Sequence, residues 1–360
     1  MNGFEETDDA GAGLWGADGS PIPLPPADPE LAVEQPSLSA DAGGDEPAVV
    51  PFAPERLMRQ PRSHSTSGWR LVLRRLSFGV VSPGLSAAEG RQRDLVARVR
   101  TPIRGCRKVA FVSRKGGVGK TSSCLLTAHT FAAYRGDRVV ALDGDSDAGS
   151  LAHRLRRETS QTVTSLLADA DQIRRYADIR AFTSQAPTRL EVIAADDDPR
   201  ITRSLGGSQI RRAIELLEHH YNLVCLDTAA GVLEPTTQAI LDAADQVVVI
   251  SGPSVDAARA ASATIDWLQE NGYQQLAQGA VAVVNAVRAQ RGSVEVGQIE
   301  AHFAARCRAC IRIPWDPHLE TGAITTLEEL QPSTRQAYLQ LAAAVAQGFD
   351  EPTTRRTPTC

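Results

Sequence analysis

The chain has 360 residues, 42% of them hydrophobic and 22% charged, and a net charge of −5. That is enough for one large or two ordinary domains. No run approaches the roughly 20 apolar residues of a membrane span, and the start lacks the basic and apolar regions of a secretory signal, so a cytoplasmic location is expected.

By segment the charge is strongly uneven. Residues 1–54 hold eleven acidic residues and no Lys or Arg, whereas residues 55–108 hold thirteen basic residues against three acidic ones. The acidic stretch is rich in Pro, Ala and Gly and cannot bury enough apolar surface to offset its ordering entropy, which predicts a disordered tail over 1–66. A short basic helical linker is expected over 67–105. Within it Trp69, Val72, Leu73, Leu76 and Val80 recur at helical spacing with Arg70, Arg74 and Arg75 between them. This basic amphipathic helix either docks on the following domain by its apolar stripe or contacts a partner, a membrane surface or the acidic tail. A second helix, Ser86 to Arg100, opens with Ser86 as N-cap and Glu89 three residues on, the spacing of a capping box.

From Arg107 the chain alternates β-rich runs with helical patterns, which argues for parallel βαβ units. Strands are expected at Val109–Val112, Arg138–Leu142, Leu190–Ala194, Leu223–Leu226, Gln246–Ser251, Ala280–Asn285 and Ile311–Ile313. Helices are expected at Ser122–Tyr134, Gln209–His219, Val255–Glu270, Ser293–Ala305 and Ser333–Phe349. The fold class is therefore α/β: a doubly wound, mostly parallel sheet with helices on both faces, spanning 106–349. A polar tail, 350–360, follows.

The first strand runs into Ser113–Ser122, SRKGGVGKTS. Gly116, Gly117 and Gly119 let the backbone curl with N–H groups pointing inward, and the helix opening at Lys120 adds its positive dipole end, so the loop suits phosphate. In G-x-x-x-x-G-K-[ST] the last two positions, here Lys120 and Thr121, reach the β- and γ-phosphates and ligate Mg²⁺. As a loop side chain, Lys120 is expected to contribute little to the core. Arg114 stands where that pattern has its first glycine. Of only three lysines in the chain, Lys115 and Lys120 both lie here.

Lys115-Gly-Gly-Val-Gly-Lys-Thr121 resembles the deviant P-loop of the MinD/ParA group of ATPases. The resemblance implies an ATP- and Mg²⁺-dependent ATPase that works as a homodimer with ATP sandwiched at the interface. Lys115 would then reach phosphates held by the other subunit, while Gly116, Gly117, Val118, Gly119, Lys120, Thr121 and Ser122 bind the nucleotide. Asp145 resembles the switch carboxylate that orients the attacking water, and Asp143 its companion; Asp147 caps the next helix or belongs to the same acidic turn. Leu223–Leu226 leads into Asp227, which looks like a Walker B aspartate serving Mg²⁺ with Thr121, and Gly231 resembles a switch II glycine. A carboxylate at the end of a buried strand needs a cation or donors nearby. Asn285 resembles the asparagine that hydrogen-bonds adenine, although a strand-end Asn also serves as turn chemistry. Pro314 and Asp316 fall in a loop resembling the one that packs against the base.

Cys307-Arg-Ala-Cys310 is a lone CxxC; metal-carrying relatives use such a pair, and incidental cysteines are the alternative. The other cysteines are scattered, and reduced thiols are expected. GWRLVLRRL, VVSPGLSAAE, TPIRGC, IPWDPHLETGAI and LQPSTRQAYLQLAAAVA, together with the loop, narrow the resemblance to the actinobacterial MinD-like ATPases of type VII (ESX) secretion loci over about 68–349. That implies protein partners in a secretion apparatus. A DNA-partition ATPase is the alternative from another class, disfavoured by the charge of −4 over 109–360. A membrane-cycling regulator would need a C-terminal basic amphipathic helix, and DEPTTRRTPTC is too polar to insert, so membrane contact is at most peripheral. A nucleotide-binding scaffold without hydrolysis is opposed by Asp145 and the intact loop.

Overall fold

A computed structural model describes residues 86–145, 149, 151–202, 205–289 and 294–350. The expected disordered tail, the Trp69–Val81 helix, Asp147 and residues 351–360 lie outside the described residues.

One sheet contains eight strands: β1 (Arg107–Ser113), β2 (Val139–Gly144), β3 (Ser184–Gln185), β4 (Glu191–Ile193), β5 (Leu223–Ala230), β6 (Gln246–Ser251), β7 (Val281–Asn285) and β8 (Ala309–Ile313). Their order is β3-β4-β2-β5-β1-β6-β7-β8, and every neighbouring pair is parallel except β3 with β4. The described helices of nine or more residues are α1 (Ala87–Val99), α2 (Lys120–Tyr134), α3 (Gly207–His220), α4 (Pro235–Ala243), α5 (Val255–Glu270), α6 (Val296–Ala304) and α7 (Pro332–Ala346). This is the doubly wound sheet expected from the sequence. Strand order reverses at β1, which places its carboxyl end in the crevice where open α/β sheets bind ligands.

Side-chain alternation along each strand divides the core into two layers. In β5, Leu223 and Cys225 join the layer built with Val99 of α1, Leu125 and Phe131 of α2 and Tyr338 of α7. Val224 and Leu226 join the opposite layer, with Ile210 of α3, Ile240 of α4, Ile265 of α5 and Phe303 of α6. Each fully buried Leu, Ile or Phe contributes about 1.5–3 kcal/mol relative to exposure.

Helix α2 buries 12 of its 15 residues. The hydroxyls of Thr127 and Thr130 donate to Ser123 O (2.6 Å) and Leu126 O (2.7 Å), so polar side chains in this buried helix are satisfied by its own backbone. At its C-terminal end Arg100 Nε donates to Tyr134 O (2.7 Å), and Arg189 Nη2 donates to Ala132 O (3.1 Å) and Arg135 O (2.9 Å). These cations complement the negative end of the helix dipole. The helix that carries the glycine loop is therefore fixed at its far end.

Helix α1 starts as expected: Ser86 N donates to Glu89 Oε2 (2.8 Å) and Glu89 N to Ser86 Oγ (3.2 Å). It packs with α2 and α7, and Arg135 Nη1 donates to Val99 O (2.6 Å) and Thr101 O (2.7 Å). Strand β3, with two residues, was not among the expected elements, and α4, with Pro235 at its first turn, fills the gap between β5 and β6. Strand β8 begins at Ala309, two residues before the expected Ile311.

Candidate functional site

The loop between β1 and α2 is shaped by two left-handed glycines, Gly117 (φ 74°) and Gly119 (φ 83°). At Gly119 a Cβ would come within 2.2 Å of Asn285 Nδ2 and 3.1 Å of Val287 Cγ1, so both conformation and space require glycine. The Asn285 amide donates to Val118 O (2.9 Å), tying the end of β7 to the loop, while the Val118 side chain is buried in the α2 layer. Ser113 Oγ accepts from Lys115 N (3.2 Å) and donates to Lys115 O (3.1 Å), bracing the loop's entry. The exit opens directly into α2, whose first backbone N–H groups face the same space.

At the floor, Lys120 Nζ lies 2.7 Å from Asp227 Oδ1 and donates also to Thr228 O. Both partners are buried, with side-chain exposures of 9% and 1%. Lys120 is thus part of the interior, contrary to the expectation for a loop lysine, because the first turn of α2 turns its side chain inward against the end of β5. Burial disfavours the ammonium, but Asp227 together with Asp145 and Asp143 outweighs it and the pKa rises. Burial likewise raises the Asp227 carboxyl, with Lys120 opposing. The Thr121 hydroxyl lies close enough to favour the Asp227 carboxylate, yet Asp227 Oδ2 is buried and meets no donor at hydrogen-bonding geometry.

The β2–β5 register sets Asp143 directly beside Asp227. Asp143 is 2% exposed; its Oδ1 accepts from Asp145 N (3.2 Å) and its Oδ2 from Leu151 N (3.0 Å). Burial and the Asp227 charge push its pKa up to about 7. Asp143 thereby anchors the turn that carries Asp145, which is half-buried and whose charge acts on both Lys120 and Asp227. The structure brings these residues together with Thr121. Gly231 N donates to Ser113 O (3.1 Å), joining the segment after β5 to the loop's start.

Lys115 points elsewhere. Its side chain is 44% exposed and its Nζ is 4.0 Å from Asp256 Oδ2 in the first turn of α5. Gly116 and Gly117 are exposed beside it.

On the other flank, Asn285 pairs with Ile313 in the β7–β8 register, so half-buried Pro314 follows immediately beside it. Asp316 is 2% exposed; its Oδ1 accepts from His318 N (3.0 Å) and its Oδ2 from Gln331 N (2.9 Å). Both oxygens are engaged by backbone donors, so Asp316 braces this loop against the start of α7. The sequence pattern marked Asp316 as a nucleotide contact and Asn285 as an adenine contact or turn residue, and their bonds to distant protein backbone carry no local sequence signal. Ser113 and Thr228 were also missed. A hydroxyl beside the motif is visible in the sequence, but its partner is set by the fold.

Cys106, Cys124, Cys225 and Cys307 are buried free thiols and Cys310 is a half-buried one. Burial raises all five, which leaves them poorly reactive. Among the described residues no group of three or more His, Cys, Asp or Glu side chains is arranged to hold a metal ion. No described helix is long and apolar enough to cross a membrane.

Residues 106–277 match the AAA domain family. The ParA family ATPase of Chlorobium tepidum superposes with a TM-score of 0.57 at 18% identity, covering 66% of this chain and 98% of that one. The chain has the fold of the ParA and MinD ATPases. MinD of Pyrococcus horikoshii, solved as a complex with Mg-ADP, shares this ParA/MinD fold with a TM-score of 0.52 at 18% identity, over 68% of this chain and 96% of that one. The ESX-1 secretion-associated protein EspI of Mycobacterium tuberculosis is a homologue, 35% identical over 326 residues. That alignment covers 90% of this ParA/MinD-fold chain and 48% of EspI, so the chain spans about half the length of the curated relative it matches.

Proposed function

We propose that the chain is an ATP-binding and ATP-hydrolysing switch of the MinD/ParA type, that it works as a dimer in the cytoplasm, and that it serves ESX secretion. The observation that carries the nucleotide reading is Asp227: a fully buried carboxylate in β5 with an oxygen that meets no donor at hydrogen-bonding geometry, beside Thr121, which follows the glycine loop. That oxygen and the Thr121 hydroxyl are a hard donor set suited to Mg²⁺. The left-handed glycines suit phosphate. Bound Mg-ATP would supply the phosphoryl bond and a metal charge that offsets the negative charge of the phosphates.

The protein's own contribution is positioning and charge. Gly116 to Ser122 present backbone N–H groups, and Lys120 carries the cation for the phosphates once it turns from Asp227. Thr121 and Asp227 would hold the metal. Asp145 orients water, held in place by the bond from its N–H to Asp143. Asn285 and Pro314 flank the adenine side, and Asp316 sets the loop that closes it.

Lys115 is exposed and its Nζ lies 4.0 Å from Asp256 Oδ2 in α5. A cation so placed suits phosphates bound by a second copy, which makes the nucleotide the link between subunits. The secretion assignment is supported by the likeness to EspI. Calorimetric titration of the full chain with ATP and Mg²⁺, and of the Lys120→Ala variant alongside, tests the nucleotide reading. Binding by the wild type that the variant loses is expected, and equal affinities would contradict it.

A further inference from the structure

At the end of α2 remote from the glycine loop, about 22 Å along a helix of 15 residues, lies a cavity of about 550 Å³. Its lining combines the apolar Ile103, Ala133 and Tyr134 with the cations Arg100, Arg135 and Arg189. Arg135 is fully engaged: Nη1 donates to Val99 O (2.6 Å) and Thr101 O (2.7 Å), and Nε to Asp137 Oδ2 (2.6 Å). Arg100 and Arg189 are exposed, and neither forms an ion pair among the described residues. Arg100 is held through Nε on Tyr134 O (2.7 Å), and Arg189 through Nη2 on Ala132 O (3.1 Å) and Arg135 O (2.9 Å). Those carbonyls lie within one turn, so both guanidinium groups are fixed at one rim of the cavity. The edge that Arg100 leaves unused, Nη1 with Nη2, is one that meets a carboxylate in two parallel bonds. Arg189 holds φ 73°, the one positive value among the described non-glycine residues. Backbone strain of this kind gathers at ligand-binding sites.

Two features select the ligand. Asp137, paired with Arg135 in the lining, repels a dense run of phosphates, whereas Ile103 and Tyr134 suit an apolar side chain next to an isolated carboxylate. Arg93 is also exposed and without an ion pair among the described residues. It stands two helical turns before Arg100 on the same flank of α1, about 10 Å away, a distance that an extended peptide covers in about three residues. We propose that this is a docking site for an extended acidic segment of a protein partner: one carboxylate on Arg100 and Arg189, an apolar residue against Ile103 and Tyr134, and a second carboxylate at Arg93. The site is separate from the nucleotide pocket and needs no nucleotide.

The test is titration of the full chain, without nucleotide, into a labelled synthetic peptide carrying two Glu about three residues apart with Leu between them, and into its counterpart with both Glu replaced by Gln. Fluorescence anisotropy reads the Kd. The Glu peptide is expected to bind at least about tenfold tighter, roughly the range of one charge-assisted contact. Arg100→Gln should lose about tenfold for the Glu peptide, and Arg189→Gly, which removes the guanidinium where glycine is at ease, should lose as much. Arg93→Glu should lose about fivefold, the range of an exposed pair reversed in sign. Equal affinity for the two peptides, or wild-type binding of the Glu peptide by Arg100→Gln and Arg189→Gly, would overturn the proposal. A short single-stranded DNA that binds more tightly than the Glu peptide and is lost in the same variants would overturn it in favour of nucleic acid, and full displacement by millimolar inorganic phosphate would overturn it in favour of a free anion. Should Arg100→Gln and Arg189→Gly fail to fold by circular dichroism, Arg93→Glu decides: the expected loss supports the site, and unchanged affinity overturns it.

Discussion

Lys120 and Asp227 form a buried ion pair, Nζ to Oδ1 2.7 Å, at the junction of α2 and β5. The residue proposed to meet phosphate is therefore also a structural partner of the residue proposed to serve the metal. On the proposed reading, nucleotide binding would exchange one set of partners for the other, and the strength of this pair would set part of the affinity.

Lys120→Ala should lose most ATP binding and also destabilise the domain by about 3–5 kcal/mol, because it leaves a buried carboxylate unpaired. Lys120→Met with Asp227→Asn should recover much of the stability without recovering binding. Urea unfolding and nucleotide titration on the same samples check this. A single variant as stable as wild type would show that the pair adds nothing to folding.

Gly119→Ala should abolish nucleotide binding, since its Cβ would meet the Asn285 amide at 2.2 Å in a backbone already at φ 83°. Asn285→Asp should replace the amide donor to Val118 O by a carboxylate facing a carbonyl and cost about 1–3 kcal/mol. Thermal unfolding measures the second effect. If Asn285→Asp lowered ATP affinity with no loss of stability, the amide would act on the base alone.

Two buried groups give opposite pH slopes in the absence of Mg²⁺ and nucleotide. Asp143 is raised to about 7 by burial and Asp227, so the folded form holds a proton that the unfolded chain has released, and stability falls as pH rises from about 4 to 7. His129 is lowered to about 4 by burial; its Nδ1 pairs with Thr188 Oγ1 at 2.8 Å and its Nε2 has no partner. There the unfolded chain takes up the proton first, and stability falls as pH drops below about 6.5. Asp143→Ala should therefore make Tm climb more steeply with pH across this window, and His129→Leu should make it decline. Parallel displacement of both Tm curves would contradict both assignments.

Much of the fold was legible because long parallel strands and amphipathic helices impose their periodicity locally. Strands β1, β2, β6 and β7 fell close to their expected limits, since each is an apolar run bounded by polar turns, whereas β5 runs four residues past the expected Leu226, through Asp227 to Ala230. Strand β3 was not legible: Ser184–Gln185 pairs only because β4 lies alongside, and two residues carry no period. The same division holds at the site. Gly117, Gly119, Lys120 and Asp227 stand in local motifs, whereas the bonds of Asn285 to Val118, of Asp316 to Gln331 and of Lys120 to Asp227 join residues far apart in sequence. Local pattern names such residues but not their partners, which are set only when the sheet assembles.

The central claim, that nucleotide links two copies and its hydrolysis separates them, is tested most directly by the mass of the full chain in ATP and Mg²⁺. Light scattering would be run on wild type, Lys115→Ala and Asp145→Ala, with phosphate release followed in parallel. Lys115→Ala removes an exposed cation proposed to act across the interface and should bind ATP as a monomer without turnover. Asp145→Ala should hold ATP as a persistent dimer, since water is no longer oriented. A Lys115→Ala chain that dimerises and releases phosphate at the wild-type rate would contradict the account.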